Sequence, residues 1–348
     1  MKRVDERPKP LVYYTHWVPD EGPALLRPHC RVVICPTDHP PSENEIATQA
    51  GDAFALCFSV CDRVSASLLE RCPSLKVISS YARGSDNVDV EAATRLGIWV
   101  ATIDTAMTDS VADMAWALLL SLARKVIPGD RIVRHGWFTG WEPRPAAMGS
   151  RVSGRTLGIV GMGQVGRAVA RRASGFGMRV LCTQPDRLTP AQEDAVGARW
   201  VTRPELLAQS DFIVLCSPLT EDTFHQIGEA ELHVIKPSAM VVNVSRGSEV
   251  DEEAAARALN EGRLAGYATD VFEMEDWPAA GPIARPVRSV PASLVANRDR
   301  TVLTPHISTA VEEVRVQIAL AQAGAVLDVL EGRRPAGAVN EPLGRGTR

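Results

Sequence analysis

Three side chains suited to proton transfer and anion binding stand in the C-terminal half of the chain. Arg246, Glu275 and His306 each follow, within a few residues, a short apolar run that we predict to be a strand. An arginine fork binds an anion, a histidine exchanges a proton near neutral pH, and a carboxylate bonded to that histidine favours its protonated form. Because ligand crevices form beyond the carboxyl ends of parallel strands, we expect these residues to share one proton-transfer site.

A glycine-rich loop precedes these residues. Positions 161–166 read GMGQVG, which matches G-x-G-x-x-G after an apolar run at 157–160 and before a helical stretch. In this pattern the first glycine permits a tight turn, the second lets the backbone approach a pyrophosphate, and the third lets helix and strand pack closely. The helix N-terminus then faces the phosphate charge. The pattern predicts a dinucleotide site contacted by Gly161, Gly163, Gln164, Val165 and Gly166.

The end of the following strand bears on the choice of cofactor. Gln184 stands 18 residues after Gly166, where an acid would bond the ribose 2′-hydroxyl of NAD and repel the 2′-phosphate of NADP. A neutral glutamine repels neither cofactor. Asp186 could supply the missing carboxylate, and Arg187 could bind a phosphate. We expect NAD, with NADP left open.

These residues require a scaffold of parallel strands. Apolar runs alternate with amphipathic stretches along the chain, a βαβ rhythm that predicts an α/β fold. The strand candidates are 11–15, 31–35, 53–58, 75–79, 98–102, 156–160, 179–183, 212–216, 240–244, 266–271 and 301–304. Helices are predicted at 65–72, 108–126, 163–175 and 309–330. We expect the stretch 277–300 to be a long surface excursion and the tail after Gly332 to be loose.

Composition excludes several classes of protein. The 348 residues are 45% hydrophobic and 23% charged, as in ordinary globular proteins. The net charge of −4 provides no basic field for nucleic acid or an anionic membrane. No run approaches the roughly 18 apolar residues of a membrane span. The expected partner is therefore a small anionic substrate that is bound by local cations.

The seven cysteines show no pairing pattern. None forms C-x-x-C, and no Cys/His spacing indicates a metal site, so we predict no metal and buried reduced thiols. Residues 1–7 are followed by no apolar segment of the kind that a secretory signal has. Both observations favour the cytoplasm.

The motifs together resemble the D-isomer-specific 2-hydroxyacid dehydrogenase family over nearly the whole chain. The segments that carry the resemblance are 161–166, 217–220, 243–247, 270–275 and 304–307. The family implies two Rossmann-like parallel-sheet domains with an active-site cleft between them. Residues 1–105 plus 308–348 would form a discontinuous substrate domain, and 106–307 the dinucleotide-binding domain. It also implies a homodimer through the nucleotide domain, consistent with the broad apolar face of the helix at 111–125.

The resemblance further implies roles for individual residues. Arg246 would bind the substrate anion, Glu275 would tune His306, and Asp270 would lie near the nicotinamide. The remaining implied cofactor contacts are Cys216, Ser217, Pro218, Val244 and His306 itself.

Within the family the sequence looks most like phosphonate (phosphite) dehydrogenases. The acidic run at 273–276 and the segment 138–143, which would bring Trp141 into the substrate pocket, are similar. Arg83, next to Gly84, stands where those enzymes have lysine, and Thr309 matches their hydroxyl residue near the histidine. Two departures oppose the likeness, because 145–148 contain no tyrosine and Val60 replaces a pocket methionine.

The expected reaction is therefore NAD-dependent oxidation of phosphite to phosphate. Phosphite is largely a dianion near neutral pH, and Arg83 with Arg246 would match its two charges. The alternative is a D-2-hydroxyacid dehydrogenase of the glyoxylate or hydroxypyruvate reductase type. A non-catalytic dinucleotide-binding regulator is the minor alternative, which the complete set of Arg246, Glu275 and His306 opposes.

Overall fold

A computed structural model describes residues 8–36, 39–103, 105–276 and 289–342. The chain divides into two compact units, and each contains a parallel sheet covered by helices. Unit 1 takes in the described residues of Met1–Met107 and Ala310–Arg348, and unit 2 those of Thr108–Asp276 and Pro286–Thr309. The prediction of two parallel-sheet α/β domains is confirmed.

Unit 1 contains a sheet of five strands among its described residues, in the order β2-β1-β3-β4-β5, all parallel. The strands are β1 Leu11–Tyr14, β2 Arg31–Ile34, β3 Ala55–Phe58, β4 Val77–Ser80 and β5 Trp99–Ala101. The helices are α1 Glu21–Leu26, α2 Glu43–Ala50, α3 Ala66–Glu70, α4 Val90–Arg95 and, from the end of the chain, α13 Glu312–Leu330. Strands β1, β3 and β4 are wholly buried, as expected of parallel strands with both faces covered.

Helix α13 belongs to unit 1 through close packing and buried hydrogen bonds. A Cβ atom on Gly22 in α1 would lie 2.5 Å from the Ala319 carbonyl oxygen, so only glycine allows this approach. The Gln322 side chain, which is fully buried, donates from Nε2 to the carbonyl oxygen of Ser79 at 2.9 Å. The C-terminal helix therefore completes the cover of a sheet that the first hundred residues build.

The described part of the C-terminal tail is ordered against β5, so the prediction of a loose tail is wrong up to residue 342. Thr102 N donates to Gly337 O at 2.9 Å, Val339 N donates to Val100 O at 2.9 Å, and Val100 N donates to Asn340 Oδ1 at 2.8 Å. Proline and glycine content does not prevent a segment from pairing with the edge of a sheet. The last residues, 343–348, lie outside the described part.

Unit 2 contains a sheet of seven strands among its described residues, in the order β12-β11-β10-β9-β6-β7-β8, all parallel. The strands are β6 Thr156–Val160, β7 Arg179–Thr183, β8 Ala198–Trp200, β9 Phe212–Leu215, β10 Met240–Asn243, β11 Gly266–Thr269 and β12 Thr301–Leu303. The helices are α5 Thr108–Ala123, α6 Val126–Arg134, α7 Gln164–Ala173, α8 Pro190–Val196, α9 Arg203–Gln209, α10 Glu229–Val234, α11 Glu252–Asn260 and α12 Ala292–Ala296.

Helix α5 ends earlier than the sequence predicts. Lys125, with φ at 56°, is in the left-handed region and separates α5 from α6. Helix α6 has no buried residue, so the apolar side chains in its sequence do not belong to the core of this single chain. Trp116 fixes α5 to α7, since its indole donates to Val169 O at 3.2 Å and its ring stacks on Phe176 at 4.6 Å.

Strand β8 and helix α12 are among the short elements that were not predicted. Strand β8 is three residues long, and α12 is a five-residue helix inside the stretch expected to be an aperiodic excursion. Residues 277–288 of that stretch lie outside the described residues. None of the helices in the described part of the chain has the length and apolar character that crossing a membrane requires.

Candidate active site

The loop after β6 has the geometry that the glycine pattern predicts. Gly161 has φ at 93°, and a Cβ atom there would lie 2.7 Å from backbone atoms of Cys216 and Ser217 at the end of β9. A Cβ atom on Gly166 would lie 2.0 Å from the Gly161 carbonyl oxygen. Gly163 is the N-cap of α7 and faces open space, with no atom within 4 Å of a Cβ built there. Strand and helix are thus packed as closely as glycine allows while the helix N-terminus stays open, an arrangement that fits a dinucleotide pyrophosphate.

The predicted ribose-binding segment follows β7. Gln184 Nε2 donates to its neighbour's main chain, the carbonyl oxygen of Asp186, at 2.8 Å, and Trp200 Nε1 donates to Gln184 O at 3.2 Å. The Arg187 guanidinium lies 5.3 Å from the centre of the Trp200 ring. The segment therefore holds a neutral amide and a cation close together, and the described contacts leave the choice between NAD and NADP open.

Arg246 is carried by a tight turn after β10. Asn243, fully buried at the strand end, donates from Nδ2 to Arg246 O at 2.8 Å and accepts from Ser245 N at 3.0 Å. The guanidinium is half-buried, and it donates to the carbonyl oxygen of Ser245 at 3.0 Å. Asn243 was not predicted as a functional residue, although a polar side chain ending the apolar run MVVN is a usable signal.

Close packing joins the Arg246 turn to the segment after β11. A Cβ atom on Gly247 would lie 1.8 Å from the Phe272 carbonyl carbon, so any other residue would push the two segments apart. Ser248 N also donates to Asp276 Oδ2 at 2.7 Å. The glycine after Arg246 thus fixes the distance between the two strand ends.

A reciprocal pair of carboxylates strengthens this junction. Glu252 N donates to Glu273 Oε1 at 3.0 Å, and Glu273 N donates to Glu252 Oε1 at 3.1 Å. Both side chains are buried. Burial, and then the charges of Glu273, Asp276 and Glu275, raise the pKa of the Glu252 carboxyl to about 8, while the Glu273 amide lowers it. The ion-pair distance from His225 Nε2 to Glu273 Oε1 is 3.3 Å.

Glu275 and His306 are in direct contact. Glu275 Oε2 lies 2.6 Å from His306 Nδ1, and Glu275 Oε1 accepts the Phe272 amide at 2.8 Å. The carboxylate therefore orients the imidazole through Nδ1, and Nε2 is the nitrogen that could exchange a proton with a ligand. His306 has φ at 53°, a left-handed conformation that is uncommon outside glycine.

Asp270 fixes the loop that bears the histidine. It is fully buried, and its two oxygens accept from Thr304 Oγ1 at 2.6 Å, Ile307 N at 2.9 Å and Ser308 N at 2.7 Å. The Ser308 hydroxyl also donates to Asp270 Oδ2. These contacts give the carboxylate a role in loop geometry, and its contact with the nicotinamide stays a prediction.

The structure brings Arg246, Glu275 and His306 to the carboxyl ends of the neighbouring strands β10, β11 and β12 within unit 2. The other predicted substrate residues are more scattered. Arg83 and Gly84 belong to unit 1, where Arg83 is exposed in the bend after β4. Trp141 is 87% exposed in unit 2, and Thr309 is half-buried at the end of that unit.

Unit 1 has a cluster of its own that the sequence did not reveal. The Arg315 guanidinium lies 5.2 Å from the centre of the Tyr81 ring, and the His16 ring packs edge-on against Tyr81 at 4.8 Å. Burial, with a smaller effect of Arg315, lowers the pKa of His16 to about 4. His16 and Tyr81 follow two strands of the same sheet, and Arg315 reaches them because α13 returns to that sheet.

Comparison with known proteins identifies the family of the chain. Residues 116–308 match the family described as D-isomer specific 2-hydroxyacid dehydrogenase, NAD binding domain. The chain belongs to this family. Members of the D-isomer specific 2-hydroxyacid dehydrogenase family are dehydrogenases, so the predictions of an oxidoreductase and of an NAD-binding Rossmann domain are confirmed.

The chain is similar to other members of this dehydrogenase family along nearly its whole length. It is 39% identical to a glyoxylate reductase of Korarchaeum cryptofilum over 336 residues, which cover 96% of this chain and 97% of the relative. It is 38% identical to a glyoxylate reductase of Thermococcus onnurineus, with the same coverage of both chains. The crystal structure of a glyoxylate reductase from Paecilomyes thermophila is 29% identical, covers 96% of this chain and 99% of its own, and superposes with a TM-score of 0.82.

The prediction of phosphite oxidation, and with it the assignment to the phosphonate dehydrogenase type within the dehydrogenase family, is wrong. Relatives that match 96% of the chain at 36–39% identity are named glyoxylate reductases. The physical reason is that a guanidinium binds carboxylates and phosphorus oxyanions alike, so Arg83 and Arg246 together indicate an anion without identifying it. The missing tyrosine at 145–148 and Val60 were the more informative positions.

Proposed function

We propose that the chain reduces glyoxylate, or a closely related small 2-oxo acid, to the 2-hydroxy acid with a reduced nicotinamide dinucleotide. The observation that carries the proposal is the similarity of 96% of the chain to proteins named glyoxylate reductase. The contact of 2.6 Å between Glu275 and His306, beside Arg246 on the next strand end, supports it. Glyoxylate carries a single negative charge, which one guanidinium matches, so the proposal assigns its carboxylate to Arg246 and needs no second cation.

We assign the following roles to the residues of this chain. When bound at the glycine loop, the cofactor supplies the hydride that adds to the carbonyl carbon. Arg246 holds the carboxylate and polarises the adjacent carbonyl, and His306 Nε2 gives its proton to the carbonyl oxygen. Glu275 holds the imidazole at Nδ1 and stabilises its protonated form, so that a proton is available at the start of each reduction.

The test is a substrate panel with the purified protein and both reduced cofactors. Glyoxylate, hydroxypyruvate and pyruvate are supplied for reduction, and D-glycerate and D-lactate for oxidation, while absorbance of the reduced nicotinamide is followed. We expect kcat/KM to be highest for glyoxylate or hydroxypyruvate. Absence of turnover with every 2-oxo acid would contradict the proposal.

We further propose that the protein accepts both NADH and NADPH, because the neutral Gln184 does not repel a 2′-phosphate and Arg187 stands nearby. Gln184→Asp introduces that repulsion. We expect it to raise the ratio of kcat/KM for NADH to kcat/KM for NADPH by the equivalent of about 1–3 kcal/mol, the worth of a charged hydrogen bond. Gln184→Asn is the matched control, because asparagine has the length of aspartate without its charge. A wild-type enzyme that already rejects NADPH would show that another group discriminates between the cofactors.

We propose a homodimer formed through unit 2. Several large apolar side chains between residues 126 and 148 are at least half exposed in a single chain, namely Val126, Val133, Trp137, Phe138, Trp141 and Met148. A second copy would cover them, and sedimentation at micromolar concentration tests this, since a monomer would contradict it. We also propose a cytoplasmic location, supported by cysteines that are all free thiols.

A further inference from the structure

A buried glutamate directly follows the Arg246 turn and has no part in the mechanism above. Glu249 ends a short 3-10 turn, Gly247–Glu249, and it is 0% exposed. An acidic group so far from water must be satisfied by its neighbours or hold a proton.

The neighbours of Glu249 come from three segments around the active site. Its Oε2 accepts from Ser217 Oγ at 2.5 Å and from Gln226 Nε2 at 2.5 Å. Its Oε1 lies 2.5 Å from Ser245 Oγ, which also contacts the carbonyl oxygen of Ser217. Glu249 therefore connects the end of β9, the segment before α10 and the turn that carries Arg246.

Counting protons shows which form of Glu249 fits these contacts. The Ser245 hydroxyl has one hydrogen, yet it meets two acceptors, Glu249 Oε1 and the Ser217 carbonyl oxygen. If Glu249 carries a proton, it donates to Ser245 Oγ, and Ser245 then donates to Ser217. If Glu249 is ionised, one of the two oxygen pairs has no hydrogen between its atoms, and Ser245 must move away from one partner.

We propose that Glu249 is a positioning residue for Arg246 and that it holds the Arg246 turn, through Ser245, in its protonated form. Loss of the proton would separate the ends of β9 and β10 and displace the guanidinium that binds the substrate carboxylate. This inference rests on the proposed function for the identity of the substrate but not for the position of the turn.

The charges around Glu249 agree with a proton near neutral pH. Burial raises the pKa of its carboxyl to about 7, against the hydrogen bonds from Ser217, Ser245 and Gln226 and the charge of Arg246, all of which lower it. The titratable groups on the segments packed around it are Cys216 after β9, His225 beside Gln226, Arg246, Asp251 and Glu252 at the start of α11, and Asp276, which accepts the Ser248 amide. Of these groups, Arg246 is the one whose charge acts on the pKa of Glu249.

The consequence is a pH dependence of substrate binding. If only the protonated form holds Arg246 in place, the apparent affinity falls with the fraction of protein that keeps this proton, and that fraction decreases about tenfold between pH 6 and pH 8. The effect belongs to KM, whereas kcat for the bound complex changes little. His306 and Glu275 are present in all the variants, so a pH effect that arises in the proton-transfer step is common to them and cancels in the comparison.

The experiment compares Glu249→Gln with the wild type in glyoxylate reduction from pH 5.5 to 8.5. The glutamine amide donates to Ser245 and accepts from Ser217 and Gln226 as the protonated carboxyl does, at every pH. We expect KM of the wild type to rise about tenfold more than that of Glu249→Gln between pH 6 and pH 8. Glu253→Gln removes the same charge from an exposed position on α11 and should follow the wild type. Identical profiles for Glu249→Gln and the wild type would overturn the proposal.

Two further measurements separate this proposal from the substrate assignment. Ser245→Ala removes the hydroxyl link, so its KM should be high at all pH values and should lose the Glu249-dependent rise. Hydrogen–deuterium exchange of residues 243–249, corrected for the intrinsic effect of pH, needs no substrate. The wild type should lose protection there between pH 6 and pH 8, and Glu249→Gln should keep it. If glyoxylate is not reduced but this difference is present, the substrate assignment fails and the role of Glu249 stands; equal protection in both proteins overturns that role.

Discussion

At the scale of single residues, His306, to which we assign proton transfer, is held firmly although it lies in a loop. Its left-handed backbone, at φ 53°, disfavours a non-glycine residue by about 1–3 kcal/mol, so neighbouring contacts must impose it. Asp270 imposes it by accepting the amides of Ile307 and Ser308, and Glu275 then fixes the ring. The imidazole is thus oriented before any substrate arrives, which removes an ordering cost from the reaction.

The pairing of Glu275 with His306 predicts a specific loss on substitution. Glu275→Gln keeps the shape of the side chain but removes the charge that stabilises a protonated imidazole, so kcat should fall by about 10²-fold. Cofactor affinity, measured by quenching of protein fluorescence, should stay within about twofold because the glycine loop lies on another strand end. His306→Ala should abolish turnover, and Glu253→Gln serves as the charge control. A normal kcat in Glu275→Gln would remove Glu275 from the mechanism.

Arg246, Glu275 and His306 were predictable from the sequence, because each has a side chain suited to anion binding or proton transfer and each follows a predicted strand. Residue types could not reveal Glu249 or the hydrogen bonds of Asp270, since those roles depend on which loops meet. Asn243 was missed although its polar side chain ends an apolar strand. Arg83 shows the opposite failure. Its charge was visible in the sequence, but charge alone does not distinguish one small anion from another.

At the scale of elements, the loop between β6 and α7 contains two glycines that are needed for different reasons. Gly166 is required by packing, because a Cβ atom would lie 2.0 Å from a carbonyl oxygen. Gly163 has ordinary backbone angles and empty space around it, so only a ligand requires its small size. The same motif therefore contains one structural and one binding position, and substitution can tell them apart.

Alanine at these two glycines should give contrasting results. Gly166→Ala overpacks the loop and should lower the free energy of unfolding by about 1–3 kcal/mol, measured by urea denaturation. Gly163→Ala should lower that free energy by at most about 1 kcal/mol, the usual difference between glycine and alanine at an N-cap, because no atom lies within 4 Å of the added methyl group. It should nevertheless weaken NADH binding at least tenfold by titration calorimetry, since its methyl group occupies the approach of the pyrophosphate. Unchanged NADH affinity in Gly163→Ala would place the pyrophosphate elsewhere.

Elements with strong periodicity or long apolar runs were predictable, and β6 and β7 have the predicted bounds. Strand β8 and helix α12 were not, because three or five residues are too few to show a period. The C-terminal tail was mispredicted for a different reason. Its order comes from hydrogen bonds to β5, a segment more than two hundred residues away in the sequence.

At the scale of the whole molecule, buried acids make stability depend on pH. Glu252 is 1% exposed, and its pKa of about 8 in the folded protein lies above its usual 4.5 in an unfolded chain. The folded state therefore binds the proton more tightly, so this contribution is fully present below pH 4.5 and is lost as pH rises through 8.

Glu252→Gln should remove this dependence. The amide oxygen can still accept from Glu273 N, and the side chain at position 252 no longer becomes charged in the buried site at high pH. At pH 8.5 the variant should be more stable than the wild type by on the order of 4 kcal/mol, and at pH 5 the two should differ by less than about 1 kcal/mol. Urea denaturation at both pH values checks this, with Glu253→Gln as the exposed control. A difference of the same size at both pH values would show that Glu252 does not hold its proton at neutral pH.

The route of the chain through its two units also has a consequence for synthesis. The five strands of unit 1 lie between residues 11 and 101, yet their sheet is completed only by α13 and by residues 337–340 along β5. Unit 2 is encoded almost entirely between these two parts and has all its strands once β12 has emerged. At ~5–20 residues per second, the first hundred residues wait on the order of 10–40 s at the ribosome for the helix that covers them. Unit 2 can fold as it emerges. The strands of unit 1, which are translated before unit 2, must be kept from aggregation until α13 has been made.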